Sequence, residues 1–100
     1  MIARRWHGRV PDPKAAEYLR LMAEVGLPDY RSTRGNRGAW CLYRRDGEVV
    51  HVEMFTLWDD LAAIRRFAGD DLVRAKYYDF DPGFLLELEP QVTHFEVIEG

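Results

Sequence analysis

Two side chains near the middle of the sequence have the types and spacing that metal binding requires. His51 and Glu53 are two residues apart. On a β-strand they would therefore point to the same face, and imidazole and carboxylate groups are both common metal ligands. A stable metal site needs further ligands, and the sequence offers no firm one beside this pair. We therefore expect no metal site.

Other reactive side chains have simpler structural interpretations. Cys41 lies within an extended segment and has no neighbouring base to lower its pKa, which favours a buried, unreactive thiol. It is the only cysteine, so no disulfide can form within the chain, which suits a reducing cytoplasm. The acidic pairs Asp59–Asp60 and Asp70–Asp71 stand where helices are expected to begin. Helix capping explains them better than a catalytic carboxylate pair.

The first quarter of the chain has the pattern of a strand followed by a helix. Residues 2–10 alternate between two sides, with Trp6 on the apolar side and His7 on the polar side, which is expected to face away from the helices. The pair Asp12–Pro13 is typical of a first helical turn. Apolar residues then recur at helical spacing as far as Gly26, which is expected to end the helix in a left-handed conformation.

A hairpin is expected after a loop over residues 27–37. The strand Gly38–Arg45 leads into Asp46–Gly47, a dipeptide that favours a tight hairpin turn, and the strand Glu48–Trp58 returns. The returning strand is apolar on both sides over much of its length. In a small domain with helices on one face only, the second face of such a strand needs a cover. A second copy of the chain is the simplest cover.

The remainder of the chain indicates a second helix and a last strand. Asp59 is expected to cap the helix and Gly69 to end it. A short helical piece is expected from Asp70 to Tyr77, followed by an aromatic-rich loop. Residues 84–89 are expected to be extended, and residues 91–99 form the last strand.

The order strand, helix, hairpin, helix, strand predicts the fold class. Because crossover connections between parallel strands are right-handed, the order leads to an antiparallel four-stranded sheet with both helices on one face. We therefore expect an α+β, ferredoxin-like βαββαβ fold that forms one domain over residues 1–100. The uncovered second face adds the expectation of a homodimer.

Composition excludes several classes of function. The net charge is −3, which argues against a nucleic-acid surface. No apolar run approaches the roughly 20 residues of a membrane span. The first ten residues carry charges where a signal peptide needs an apolar stretch, so a cytoplasmic protein is expected.

Three stretches of this sequence resemble the antibiotic biosynthesis monooxygenase superfamily. They are FTLWDDLAAIRRFAGDDLVRAKYY at residues 55–78, MIARRWHGRVP at the start, and VTHFEVIE near the end. The resemblance covers essentially the whole chain. It implies a dimeric α+β barrel, in which two ferredoxin-like sheets close face to face. The superfamily includes cofactor-independent oxygenases of aromatic polyketides and haem-degrading monooxygenases.

The haem-degrading branch of that superfamily carries an Asn, a Trp and a His at three positions that differ here. By resemblance the Asn position falls on or next to Trp6, the Trp position on Phe67 and the His position on Tyr77. Without the histidine there is no evident axial ligand for haem iron. Haem degradation is therefore not expected, and no cofactor is implied.

The resemblance implies a cavity between the sheet and the helices. Trp6, Trp58 and Phe67 would shape its walls, and Tyr77 or Tyr78 would donate a hydrogen bond to a reacting oxygen. The first hypothesis is a cofactor-independent monooxygenase that acts on an aromatic or polyketide-type molecule. The alternative is a non-enzymatic, dimeric domain that binds a small ligand, because a fold does not determine a function.

Overall fold

The computed structural model describes residues 1–100 and contains one antiparallel sheet. Its strands are β1 (Ile2–Pro11), β2 (Asn36–Asp46), β3 (Val49–Trp58) and β4 (Thr93–Glu96). Their order across the sheet is β2-β3-β1-β4, and every neighbouring pair is antiparallel. The ferredoxin-like α+β fold predicted from the sequence is confirmed.

The helices pack on one face of this sheet. They are α1 (Asp12–Leu21), a π-helical segment (Met22–Gly26), α2 (Leu27–Arg31) and α3 (Leu61–Ala68), with a 3-10 turn at Asp81–Gly83. None of them has the length and apolar character that a bilayer crossing requires.

The prediction that Gly26 ends the first helix is wrong. Gly26 has φ −63°, and the chain continues without a break into α2. A Cβ atom at Gly26 would lie 3.3 Å from the terminal methyl of Met54 on β3. The glycine therefore lets the helix approach the sheet closely, which periodicity along the helix does not reveal.

The second helix begins one residue later than expected. Asp60, not Asp59, is the cap, and its Oδ1 accepts a hydrogen bond of 2.9 Å from the backbone N–H of Ala63. Asp59 instead lies 3.6 Å from the guanidinium of Arg37. The prediction for Gly69 is confirmed, because it follows the helix with φ +90°.

The short helix predicted from Asp70 to Tyr77 does not form. That segment runs beside the residues that precede β4, with backbone hydrogen bonds from Ala75 to Pro90 and from Val92 to Val73. Pairing with a distant segment satisfies its backbone in place of helical bonds. Residues 84–89 form no strand either, although Leu86 donates to the carbonyl of Arg9, and β4 is shorter than predicted.

The two faces of the sheet differ. On β3 every second residue from Val50 to Trp58 is buried against the helices. The residues between them face the opposite side, here called the outer face, where Phe55 and Leu57 are partly exposed and lie beside His51 and Glu53. The prediction of a strand that is apolar on both sides therefore holds toward the two ends of its outer face, at Val49 and at Phe55 and Leu57, and fails between them.

Candidate functional site

A small cavity lies between the sheet and the helices. Its volume is about 10 Å³, which is room for about one water molecule. Two methionines line it, together with Trp6, Tyr18, Tyr30, Lys76, Tyr78 and Asp81. The sheet and the helical segments thus provide the inner walls, and the irregular stretch before the 3-10 turn provides the outer one.

Asp81 holds this outer wall to the first helix. It is 1% exposed, its Oδ1 accepts a 2.7 Å hydrogen bond from the Tyr18 hydroxyl, and its Oδ2 accepts a 2.6 Å bond from the backbone N–H of Tyr78. Burial raises the pKa of Asp81 above its ordinary value, although both hydrogen bonds oppose the shift. Burial and the charge of Asp81 raise the pKa of Tyr18.

Asp29 forms a second link to the same wall. Its Oδ2 accepts hydrogen bonds from Lys76 Nζ at 2.9 Å and from the Tyr78 hydroxyl at 2.6 Å. Burial alone would raise the pKa of Asp29, but these two donors and the charge of Lys76 lower it overall. Burial and the hydrogen bond to Asp29 raise the pKa of Tyr78. The Tyr78 hydroxyl is therefore a protonated donor at neutral pH, not a base.

Tyr77 lies outside the cavity lining, in contact with Trp6. Its hydroxyl donates to the carbonyl of Glu89, and its ring packs edge-on against Trp6 with centroids 6.0 Å apart. Burial and the charge of Glu89 raise the pKa of Tyr77 to about 12. The indole N–H of Trp6 is buried and has no hydrogen-bond partner.

Trp58 and Phe67 form an aromatic stack behind the cavity. Phe67 lies 4.3 Å from Tyr30 between ring centroids and 5.7 Å from Trp58. The Trp58 indole N–H donates to Thr56 Oγ1 at 2.8 Å. Of the five residues implied by the resemblance, the structure brings Trp6 and Tyr78 to the cavity. Trp58 and Phe67 do not line it but pack against lining residues, both against Tyr30 and Phe67 also against Lys76, whose Nζ lies 4.2 Å from the Phe67 ring centroid.

The sequence does not predict six of the eight lining residues, namely Tyr18, Met22, Tyr30, Met54, Lys76 and Asp81. Helical periodicity assigns Tyr18 to an apolar stripe, composition predicts a loop at Tyr30, and no sequence pattern singles out Lys76 or Asp81. The cavity forms because these residues meet across the chain, and Tyr18 and Asp81 are 63 positions apart. Periodicity reports neighbours along one element, so no local signal could have paired them.

The outer face carries a cluster of histidines and carboxylates. His7 Nε2 lies 2.9 Å from His51 Nδ1, while the other nitrogen of His7 lies 2.5 Å from Glu89 and that of His51 lies 3.4 Å from Asp46. The structure thus pairs His51 with His7, a contact that the sequence did not predict. No group of three or more histidine, cysteine, aspartate or glutamate side chains is placed to hold a metal ion.

Cys41 lies on β2, the strand beside β3. Burial raises the pKa of its thiol to about 11.

Comparisons with known proteins concern the fold. Neither a protein-family model nor a curated protein matches the sequence. The solved structure of Rv0793 from Mycobacterium tuberculosis is similar, with TM-score 0.64 and 17% identity over 100% of this chain and 98% of that one. An uncharacterized NIPSNAP domain protein from Burkholderia xenovorans is also similar, with TM-score 0.59 and 19% identity over 98% of this chain and 95% of that one.

At these identities the likeness concerns backbone architecture only, because one fold hosts many unrelated functions. Each match extends over nearly the full length of both chains. The four-stranded sheet with helices on one face is therefore a fold that this chain shares with both proteins.

Proposed function

We propose that this protein is a small-ligand-binding domain whose ligand enters the cavity between sheet and helices. The observation that carries the proposal is an aromatic-walled cavity closed by an irregular segment, which two carboxylates hold in place. Ligand pockets are typically apolar and aromatic with few placed polar groups. Because the cavity has room for about one water molecule, a larger ligand requires the outer wall at Lys76 and Tyr78 to move.

Titration with 2-naphthol should quench tryptophan fluorescence in a saturable manner, because Trp6 lines the cavity. Trp6→Phe should remove the quenching. Trp40→Phe is the matched control, since Trp40 is 47% exposed on the outer face, and it should retain the quenching. If quenching is lost in Trp40→Phe and kept in Trp6→Phe, the binding site is on the surface and not in the cavity. The absence of saturable quenching in the wild type would contradict the proposal.

A cofactor-independent monooxygenase of the antibiotic biosynthesis type is the second candidate. The position of the Tyr78 side chain at the cavity favours it, because its protonated hydroxyl can stabilise a developing oxyanion once it releases Asp29, its present acceptor. In this candidate the bound phenolate or enolate would itself supply an electron to O2. The protein would contribute the cavity and the hydrogen bond.

If this second candidate holds, Tyr78→Phe should slow oxygen consumption with anthrone- and naphthol-type phenols by about 10²–10³-fold, the loss typical of one preorganised donor. Tyr77→Phe tests the neighbouring hydroxyl, which belongs to a side chain outside the cavity lining, and should have a smaller effect. Tyr43→Phe is the control, because Tyr43 is 59% exposed. If the wild type consumes no oxygen on this panel, the candidate is excluded in favour of simple ligand binding.

We further propose that a second copy of the chain covers the outer face and that the protein is a cytoplasmic homodimer. Trp40, Leu42 and Phe95 are 46–49% exposed on this face. Large apolar patches of this kind are uncommon on monomers. Arg44 and Glu53 lie on the same face, so it carries charges of both signs. Such a surface can complement its own copy across a twofold axis.

Sedimentation at micromolar concentration should therefore give about twice the chain mass of 11.7 kDa. Trp40→Arg places a charge in the proposed interface and should yield a monomer with the same secondary structure. The exposed helical substitution Arg65→Ala serves as the control and should leave the mass unchanged. A monomeric wild type would contradict the dimer.

A further inference from the structure

Arg4 is a buried cation without an anionic partner. It lies on β1 on the side that faces the helices, two positions before Trp6, and it is 0% exposed. No carboxylate lies within ion-pair distance of its guanidinium. Burying an unpaired charge is costly, so buried arginines in proteins are normally paired with an anion.

The contacts that Arg4 does make leave its donors largely unused. One guanidinium nitrogen lies 3.4 Å from the Tyr30 hydroxyl and another lies 3.5 Å from the carbonyl of Arg74, both at the long limit for a hydrogen bond. The Nε atom is buried and has no partner. Phe67 lies beneath the guanidinium with its ring centroid at 5.3 Å. A planar fork of N–H donors is thus held in place without an acceptor that fits it.

A second buried nitrogen beside Arg4 also lacks a partner. His94 on β4 is the cross-strand neighbour of Arg4, and its Nε2 atom is buried with no hydrogen bond. Burial and the charge of Arg4 lower the pKa of His94, so the imidazole is neutral near pH 7. In the Nε2–H tautomer this nitrogen is a second buried donor without an acceptor.

The carboxylates around the cavity are already occupied. Asp29 accepts from Lys76 and Tyr78, and Asp81 accepts from Tyr18 and from a backbone N–H. The missing anion therefore has to come from outside the chain. Tyr30 connects the cavity to the Arg4 guanidinium, because it lines the cavity and its hydroxyl accepts a hydrogen bond from Arg4.

We infer that Arg4 is the anion-binding group of the ligand site and that the ligand is a small aromatic carboxylic acid. Its carboxylate binds the guanidinium fork, and its ring enters the cavity past Tyr30. A carboxylate matches the planar geometry of the fork, which a phenol does not. The inference names the ligand class for the cavity and rests on the proposed ligand-binding function.

Thermal melts and calorimetric titrations with 1-hydroxy-2-naphthoate and 2-naphthol test this inference. The wild type should bind the naphthoate at least about tenfold more tightly than the naphthol, the gain typical of a charged hydrogen bond. Arg4→Met should abolish that preference while leaving the melting temperature equal or higher, because replacing an unpaired buried charge by an apolar side chain of similar size removes a desolvation penalty. Arg31→Met, at an exposed position, is the matched control and should change neither quantity.

A second variant covers the case in which Arg4→Met does not fold. Arg4→Lys keeps the charge but loses the bidentate fork, so it should bind the naphthoate more weakly than the wild type and still prefer it to naphthol. Equal binding of both compounds by the wild type and by the Arg4 variants would overturn the inference while the ligand-binding function stands. Benzoate binding that depends on Arg4, without any binding of naphthol-sized rings, would support the inference and restrict the ligand to a single ring. No carboxylate binding together with a lower melting temperature of both variants would show that Arg4 is structural.

Discussion

Replacing Trp58 with alanine is expected to lower the free energy of unfolding by about 3–5 kcal/mol, the range for deleting a large buried aromatic side chain. Trp58 is 0% exposed and packs against Tyr30 and Phe67. Its removal also deprives Thr56 of the hydrogen bond from the indole N–H. For a domain of this size the melting temperature should fall by more than about 12 °C.

Trp40→Ala is the matched substitution for this prediction. Trp40 is half-exposed and packs on Phe55 of the next strand, so its loss should lower stability far less when association is held constant. Both variants should be unfolded by urea at several protein concentrations. If the protein forms the proposed dimer, the free energy of unfolding measured for the Trp40 variant depends on protein concentration. Similar losses for the two variants would contradict the assignment of Trp58 to the core.

Asp81→Ala is expected to lower the free energy of unfolding by about 3 kcal/mol, because it leaves two buried donors without an acceptor. These donors are the Tyr18 hydroxyl and the backbone N–H of Tyr78. Tyr18→Phe removes one donor and should be milder. The double variant should be more stable than the sum of the two single losses predicts, because the pair interacts directly.

The pH dependence of stability gives an independent test of Asp81. Its pKa in the folded state is raised by burial, so the folded protein binds this proton more tightly than the unfolded chain does. The favourable contribution is complete below the ordinary carboxyl pKa and is lost as pH rises through the raised value. The stability margin of wild type over Asp81→Ala should therefore shrink with rising pH across that interval. A margin that grows with pH would contradict the assigned direction.

The two carboxylates of the outer wall should respond to pH in opposite ways. The pKa of Asp29 is lowered overall, so its contribution is present above the ordinary carboxyl pKa and is lost as pH falls through the lowered value. Asp81 behaves in the reverse manner. Measuring Asp81→Ala beside Asp29→Ala thus separates the two links that hold the segment over the cavity.

The sequence alone determined the order of the elements and hence the fold. Period-two alternation in residues 2–10, the Asp46–Gly47 hairpin turn and the helix stop at Gly69 are local signals, and each depends on residues that are close along the chain. Right-handed crossovers then leave few topologies for a strand, helix, hairpin, helix, strand order. The observed sheet order follows from these rules.

Only the tertiary structure decided which side chains form the site. Arg4 shares the apolar side of β1 with Trp6, a visible anomaly in the alternation, but its lack of an anionic partner depends on what packs above it. The role of Gly26 depends on the approach of Met54, and the wall over the cavity depends on the contact between Tyr18 and Asp81. These contacts join residues that are distant along the chain, so their geometry is set by the packing of whole elements. Local periodicity carries no information about that packing.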